Sequence, residues 1–493
     1  METEDQVGTG DDVTRASWSA RATRLPADLA GPFEPNWTSL QRYEAPRWYE
    51  DAKFGIFIHW GAYAVAGFGS EWYPRNMYRV GSAEHEHHLK VFGSPETFGY
   101  KNLIERFTAP SFDPDEWARI FRMSGAQFVV PVAEHHDGFA MYDSSLSAWT
   151  SAHTGPCRDV VGELADAVRK QSMVFGVSSH RAEHWWFFNG GMSFPSDVQA
   201  MSDADLYGPA QPESLPPNDQ FLDDWLARAC EIVDRYEPQL MWFDWWIEQP
   251  AFEPYLRSFA SYYYNRAREW NRGVVINYKH TAFAEGSAVY DLERGQLDKV
   301  SPRVWQCDTS VGKKSWGYIS DEDYKTVDTL VCDLADVVSK NGVLLLNVGP
   351  SADGTIPREQ HELLSGIGRW LELYGESIYG TRPWTIYGEG PTKTVPGEFH
   401  DTDRAHFSSA DIRYTRRGDV LYAIVLGPLR SGSVTLRALS SDIPLERRRL
   451  AKVELVGRDV SLAWTSLPEG LVVDVADEAA HRGPFALRLT FEQ

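Results

Sequence analysis

The stretch Gln239-Leu-Met-Trp-Phe-Asp-Trp-Trp-Ile-Glu-Gln249 decides how this chain is read. Gln239 to Phe243 is apolar and aromatic, with no Gly or Pro, which is the pattern of a short buried strand. The strand ends in one carboxylate, Asp244, set among Trp242, Phe243, Trp245 and Trp246. A turn or helix-cap aspartate is the ordinary explanation of an acid after a strand. The aromatic flanks favour another, because aromatic faces line sugar-binding clefts and hold water away from a nucleophile.

Moving outward, the same unit recurs. Phe221 to Tyr236 has helical periodicity, with Leu222, Trp225, Leu226, Ala229, Ile232 and Val233 on one face. Phe54–Gly61 reads as a strand ending at His59 and Trp60. Phe128–Ala133 runs into Glu134-His135-His136-Asp137-Gly138, and Val174–Ser178 into Ser179-His180. Val274–Tyr278 and Gly342–Val348 complete the clear strands, with weaker ones at Val289–Leu292 and Val304–Cys307. Helices are expected at Asp113–Ser124 (Asp113 as cap, Pro114 first), Arg158–Gln171, Phe252–Trp270, Asp321–Ser339 and Arg358–Tyr374. A Pro/Gly/Asp/Ser-rich insertion covers about 189–219. Such alternation implies a parallel sheet, in which chemistry sits at the strands' C-terminal ends. His59, His135, His180, Asp244 and Asn347 all fall there. Recurrence on successive strands favours a closed (β/α)8-like TIM barrel, an α/β fold, over an open sheet. After Trp384 helical periodicity gives way to short alternating runs, read as an antiparallel β-sandwich. The expected division is a polar tail over 1–35, a barrel over 36–385 and a sandwich over 386–493.

The totals narrow the function. The chain has 493 residues, 43% hydrophobic, with 19 Trp and a net charge of -22. It offers no basic stripe to neutralise phosphates, so no nucleic-acid partner is expected. No run of about 18 apolar residues occurs and no signal peptide is visible, so no membrane role and a cytoplasmic location are expected. The four cysteines, Cys157, Cys230, Cys307 and Cys332, form no close pair and read as buried thiols in a reducing compartment. Glu84-His85-Glu86-His87-His88 resembles a metal tract, but a charged loop seldom converges its ligands, and neither a metal nor a cofactor is expected. A homo-oligomer is left open.

Nucleotide-binding patterns and a GxSxG elbow are absent. What remains is carboxylates, histidines and tryptophans at strand ends. Two carboxylates across a sugar ring are the usual device for glycoside hydrolysis, one ionised and one kept protonated. With Asp244 as the first, the second is open among Glu71, Glu134, Glu183, Asp291, Glu293 and Asp308. His59, His135 and His136 suit hydroxyl recognition, since each ring can donate and accept.

Several motifs stand in a fixed order: Ala52-Lys-Phe-Gly-Ile-Phe-Ile-His-Trp-Gly61, Ser70-Glu-Trp-Tyr73, His135-His-Asp-Gly-Phe139, Trp242-Phe-Asp244, Ser315-Trp-Gly-Tyr318 and Leu345-Leu-Asn-Val-Gly-Pro350. In this order they resemble glycoside hydrolase family 29, the retaining α-L-fucosidases, over about 40–385. The resemblance implies a barrel followed by a sandwich, with Asp244 as the nucleophile. It implies that His59, Glu71, Trp72, His135, His136 and Trp242 bind the fucose, with Trp316 near its apolar face. It places the acid/base less directly. Many members carry Trp-Glu ahead of the Ser-Trp-Gly-Tyr segment, where this chain has Trp305-Gln306. Glu293 is the expected acid/base, with Asp291 second. The expected ligand is a fucosylated oligosaccharide or glycoconjugate. Rival expectations are an exo-glycosidase on another L-sugar, such as an α-L-galactoside, and a catalytically weak carbohydrate binder suggested by Gln306.

Overall fold

The computed structural model describes residues 31–493 except 403–405, 443–444, 447, 459, 477 and 493. Most of the expected tail, 1–35, lies outside the described residues.

Eight parallel strands close into a barrel: β1 (Phe54–Ile58), β2 (Phe128–Glu134), β3 (Val174–Ser179), β4 (Leu240–Phe243), β5 (Val275–Tyr278), β6 (Val289–Glu293), β7 (Trp305–Ser310) and β8 (Gly342–Val348). Each pairs with the next, and β8 returns to β1 through Phe57↔Asn347 and Ile58↔Val348. Alternation inside the strands follows from the two-residue pleat. Phe57, Phe128, Val130, Val132, Leu240, Trp242, Val275, Val343 and Leu345 pack in one cluster, closed by Tyr49 from the short helix Arg47–Ala52. The intervening residues, such as Ile56, Val129, Ala133 and Met241, join the larger layer shared with the helices.

The helices start where the sequence puts their caps. Asp113 accepts from the Glu116 amide ahead of Pro114–Met123, and Asn218 accepts from the Phe221 amide ahead of Asp219–Tyr236. The helix expected over Asp321–Ser339 is shorter, Val327–Ser339, capped by Thr326. Glu322 explains the difference. Its carboxylate accepts from the amides of Lys313, Lys314, Ser315 and Asp323, which holds 321–325 as a loop. The histidine-rich tract is likewise not a loop but the helix Ala83–Val91, capped by Ser82.

Beyond the barrel lie two antiparallel sheets. The first holds β9 (Arg382–Glu389), β10 (Ile412–Arg417), β11 (Val420–Val425), β13 (Leu450–Leu455) and β16 (Phe485–Phe491). The second holds β12 (Ser433–Leu436), β14 (Trp464–Leu467) and β15 (Gly470–Asp474). Two strands, β9 and β14, were not legible. Both are sheet edges, where pairing on one side tolerates Pro383 near the start of β9 and a largely exposed β14. The cysteines are all free, three of them buried, but Cys157 is exposed rather than buried. Among the described residues no helix is long and apolar enough to cross a membrane.

Candidate active site

Each barrel strand delivers a polar side chain to the same end. His59 follows β1, His135 and His136 follow β2, His180 follows β3, Asp244 follows β4 and Lys279 follows β5. Glu293 ends β6, while Asp308 and Asn347 sit within β7 and β8. At that end a cavity of about 680 Å³ is lined by His59, Glu71, Trp72, His135, His136, Trp242, Asp244, Glu293 and Trp316. These are the residues singled out from the sequence, with one exception. Asp291, the second acid/base candidate, is fully buried outside the lining, where it accepts from Trp242 Nε1 at 2.5 Å. Burial pushes its carboxyl up to about 6, against the opposing pull of Lys279.

Asp244 is held from three sides. His180 Nδ1 lies 2.8 Å from its Oδ2, His136 Nε2 3.5 Å from the same oxygen, and Lys279 Nζ 3.8 Å from Oδ1. Its Oδ1 also accepts from the Trp245 amide at 2.8 Å. Burial alone would raise this carboxyl; Lys279 first, and then the hydrogen bond from His180, overcome it and hold Asp244 well below the usual carboxylate range. Ser178 Oγ sits 2.9 Å from His180 Nε2, so a Ser178 hydroxyl donating there leaves Nδ1–H to donate to Asp244.

Lys279 is the centre of charge. Its ammonium is ion-paired with Glu293, lies 3.4 Å from Asp308 and sits over the Trp242 ring. Burial opposes its charge, yet Asp308, Glu293, Asp244 and Asp291 together raise it well above an ordinary lysine. Asp308 moves the other way: burial and Asp291 push its carboxyl well up, favouring the neutral form.

Burial holds His59, His135 and His136 toward the neutral form. His59 Nδ1 lies 2.8 Å from Asn347 Oδ1, which also accepts the His59 amide, so Nδ1–H donates and Nε2 is left as an acceptor. Burial and His180 push His59 well down. His136 Nδ1 donates to the His180 carbonyl at 3.0 Å, and burial lowers its imidazole to about 3. His135 is lowered well below its ordinary value by burial and by His136. Ring nitrogens of His59, His135 and His180 lie within 4.8 Å of one another, as do ligand atoms of His136, His180 and Asp244. Within the second of these groups His180 hydrogen-bonds Asp244 directly and so orients its carboxylate.

Glu71 holds the opposite wall. Its Oε2 accepts from Ser315 Oγ at 3.0 Å and the Trp316 amide at 2.9 Å, fixing the loop that carries Trp316. Asn347 Nδ2 donates to the Trp316 carbonyl at 2.7 Å, and the Arg294 guanidinium lies 4.7 Å from the Trp316 ring centroid. Of the six carboxylates considered beside Asp244, Glu71, Glu293 and Asp308 line the cavity. Glu134 is consumed by Arg181 and Arg228, and Glu183 and Asp291 are buried behind the lining. Gln306 is fully buried too. It accepts from Tyr49 Oη at 2.8 Å inside the barrel, so it stands outside the cavity rather than in place of an acid.

His180 was placed at a strand end without a role, and Lys279 and Arg294 were not among the expected site residues. The signal for the first two was present, since both directly follow a strand. Their roles depend on pairings across strands that sequence spacing does not encode.

A parallel barrel with buried carboxylates and aromatic walls at its C-terminal end defines a carbohydrate-active hydrolase by class. The comparisons carry this further. The model of the family described as Alpha-L-fucosidase matches residues 22–376. A tissue alpha-L-fucosidase of Rattus norvegicus is 31% identical over 453 residues, 90% of this chain and 88% of that protein. An alpha-L-fucosidase of Branchiostoma floridae is 31% identical, covering 92% and 93%. The crystal structure of Thermotoga maritima alpha-fucosidase in complex with fucose superposes with a TM-score of 0.74 at 30% identity, over 92% of this chain and 99% of that one. The chain belongs to the α-L-fucosidase family of glycoside hydrolases, family 29.

Proposed function

We propose that this protein is a retaining, exo-acting α-L-fucosidase that removes terminal α-L-fucosyl groups from fucosylated oligosaccharides or glycoconjugates by double displacement. Asp244, ionised and aimed by His180, attacks the anomeric carbon. Glu293, which first leaves its ion pair with Lys279 and takes up a proton from solvent, gives that proton to the departing glycosidic oxygen, and a β-L-fucosyl ester forms on Asp244. Glu293 then takes a proton from water, which attacks the same carbon and releases α-L-fucose with Asp244 restored.

The observation that carries this reading is the shared ammonium of Lys279, in contact with Glu293 and 3.8 Å from Asp244. One nitrogen bridging both carboxylates bounds their separation from above, which supports the short spacing, roughly 5–5.5 Å, of retaining enzymes over the roughly 6.5–9.5 Å that seats a water in inverting ones. The neutral acceptor nitrogen of His59 suits a sugar hydroxyl, and Trp72, Trp242 and Trp316 offer aromatic walls to its C–H faces. Glu71, His135 and His136 complete the pocket for the fucose.

The test is proton NMR of the first product released from an aryl α-L-fucoside. The α-anomer appearing before mutarotation supports retention; the β-anomer appearing first rules it out. An α-L-galactoside cleaved faster than the fucoside would replace fucose with another L-sugar as the substrate.

A further inference from the structure

Phe399 lies outside the barrel strands, between β9 and β10, yet it lines the catalytic cavity together with Asp401 and Thr402. It is 58% exposed, although its segment is firmly held. Gly397 and Gln296 exchange backbone hydrogen bonds in an antiparallel bridge, the Phe399 amide donates to the Glu293 carbonyl at 3.0 Å, and the His400 and Asp401 amides donate to the Arg294 carbonyl. The Asp401 carboxylate accepts from Lys325 Nζ at 2.5 Å and Thr309 Oγ1 at 2.7 Å. From the other side, Glu398 lies 3.6 Å from His280. Phe399 has a φ of 59°, a left-handed conformation that a bulky side chain seldom takes. The chain therefore fixes a large apolar ring in the open, in an unfavourable backbone conformation, beside the residue that ends β6.

We infer that Phe399 is the floor of a leaving-group subsite, on which the sugar attached to fucose stacks a flat C–H face. The inference rests on the fucosidase reading, because Glu293 must then protonate the glycosidic oxygen, which puts the leaving group on the Glu293 side of the cavity. The Phe399 amide is hydrogen-bonded to the Glu293 carbonyl and both residues line the same cavity, so Phe399 belongs to that side of it. Its ring leaves unrealised the stabilisation that burial of a phenyl group brings, and a pyranose face placed over it recovers part of that. The ligand class is a hexopyranose with axial hydrogens on one face, such as a galactosyl or N-acetylglucosaminyl unit.

The experiment compares kcat/KM for an α-L-fucosyl-galactose disaccharide with that for α-L-fucosyl fluoride, whose leaving group has no ring to stack. In Phe399→Ala the disaccharide-to-fluoride ratio falls about tenfold or more, and in Phe399→Trp it recovers to within about threefold of wild type. A ratio unchanged in Phe399→Ala overturns the subsite while leaving the fucosidase reading standing. Equal loss on both substrates also overturns it, since a merely structural role moves both together. A wild-type protein inert on fluoride and disaccharide alike fails the fucosidase reading and the subsite with it.

Discussion

The molecule holds two groups of histidines, and they differ in the opposite sense from their density in the chain. His85, His87 and His88 stand together on the helix Ala83–Val91. His85 Nδ1 bonds the Met77 carbonyl, His88 Nε2 bonds the Phe98 carbonyl, and Tyr73 Oη lies 3.1 Å from His88 Nδ1. They tie a helix to its neighbours. His59, His135, His136 and His180 are spread over more than a hundred residues, yet their rings meet at centroid separations of 4.3 to 5.7 Å. The helix puts His85 and His88, three apart, on one buried face, where each ring bonds a different backbone carbonyl, whereas the barrel gathers distant residues at its strand ends. Convergence in space, not crowding in sequence, makes the second group a site.

The largest test of that contrast removes the group the second cluster serves. Asp244→Ala is expected to lower kcat on an aryl fucoside by about 10⁴-fold, as loss of a nucleophile does. A variant keeping a tenth of the rate would break the contrast outright. The same logic separates two carboxylates on one strand. Glu293→Gln should cost about 10²–10⁴-fold on a substrate with a poor leaving group, while Asp291→Asn, turned inward to Trp242, costs less than about tenfold. Reversal of that order in steady-state kinetics moves the acid/base to Asp291.

His180→Asn comes next, with kcat reduced about 10²-fold. Its diagnostic is the pH profile. His180 lowers the Asp244 carboxyl, so its removal raises that carboxyl and the acidic limb of kcat/KM moves to higher pH. A rate loss with an unmoved limb would make His180 packing only. The smallest effect belongs to the other group. His88→Ala strands the Phe98 carbonyl and lowers Tm by about 2–4 °C in calorimetry, with kcat/KM within about twofold of wild type. Loss of activity there without loss of stability would erase the distinction.

Much of this was legible from the chain because period-two and period-3.6 patterns name strands and helices, and strand ends name the site. Asp244 could be read from one strand and its aromatic flanks, and His59 and His135 in the same way. The pairing of His180 with Asp244 could not, since it joins β3 to β4 across 64 residues. Lys279 resembles any charged residue after a strand until four carboxylates are seen around it. Gln306 looked like a lost acid because a motif aligned there, but the strand turns it into the barrel toward Tyr49. Phe399 carried no signal, for its segment has no periodicity and its meaning lies in one amide bonded to the Glu293 carbonyl. The Glu322 loop hid inside an apparent helix for a similar reason, since its side chain accepts from the Lys313, Lys314 and Ser315 amides of the preceding segment as well as from Asp323, which the periodicity of one segment does not show.

The central claim is that Asp244 forms a covalent ester with the sugar. The most direct measurement is azide rescue of Asp244→Ala on an activated aryl α-L-fucoside, with the product identified by NMR. Azide is expected to restore turnover and to yield β-L-fucosyl azide, the anion entering the face Asp244 vacated. No rescue, or an α-L-fucosyl azide product, would contradict it.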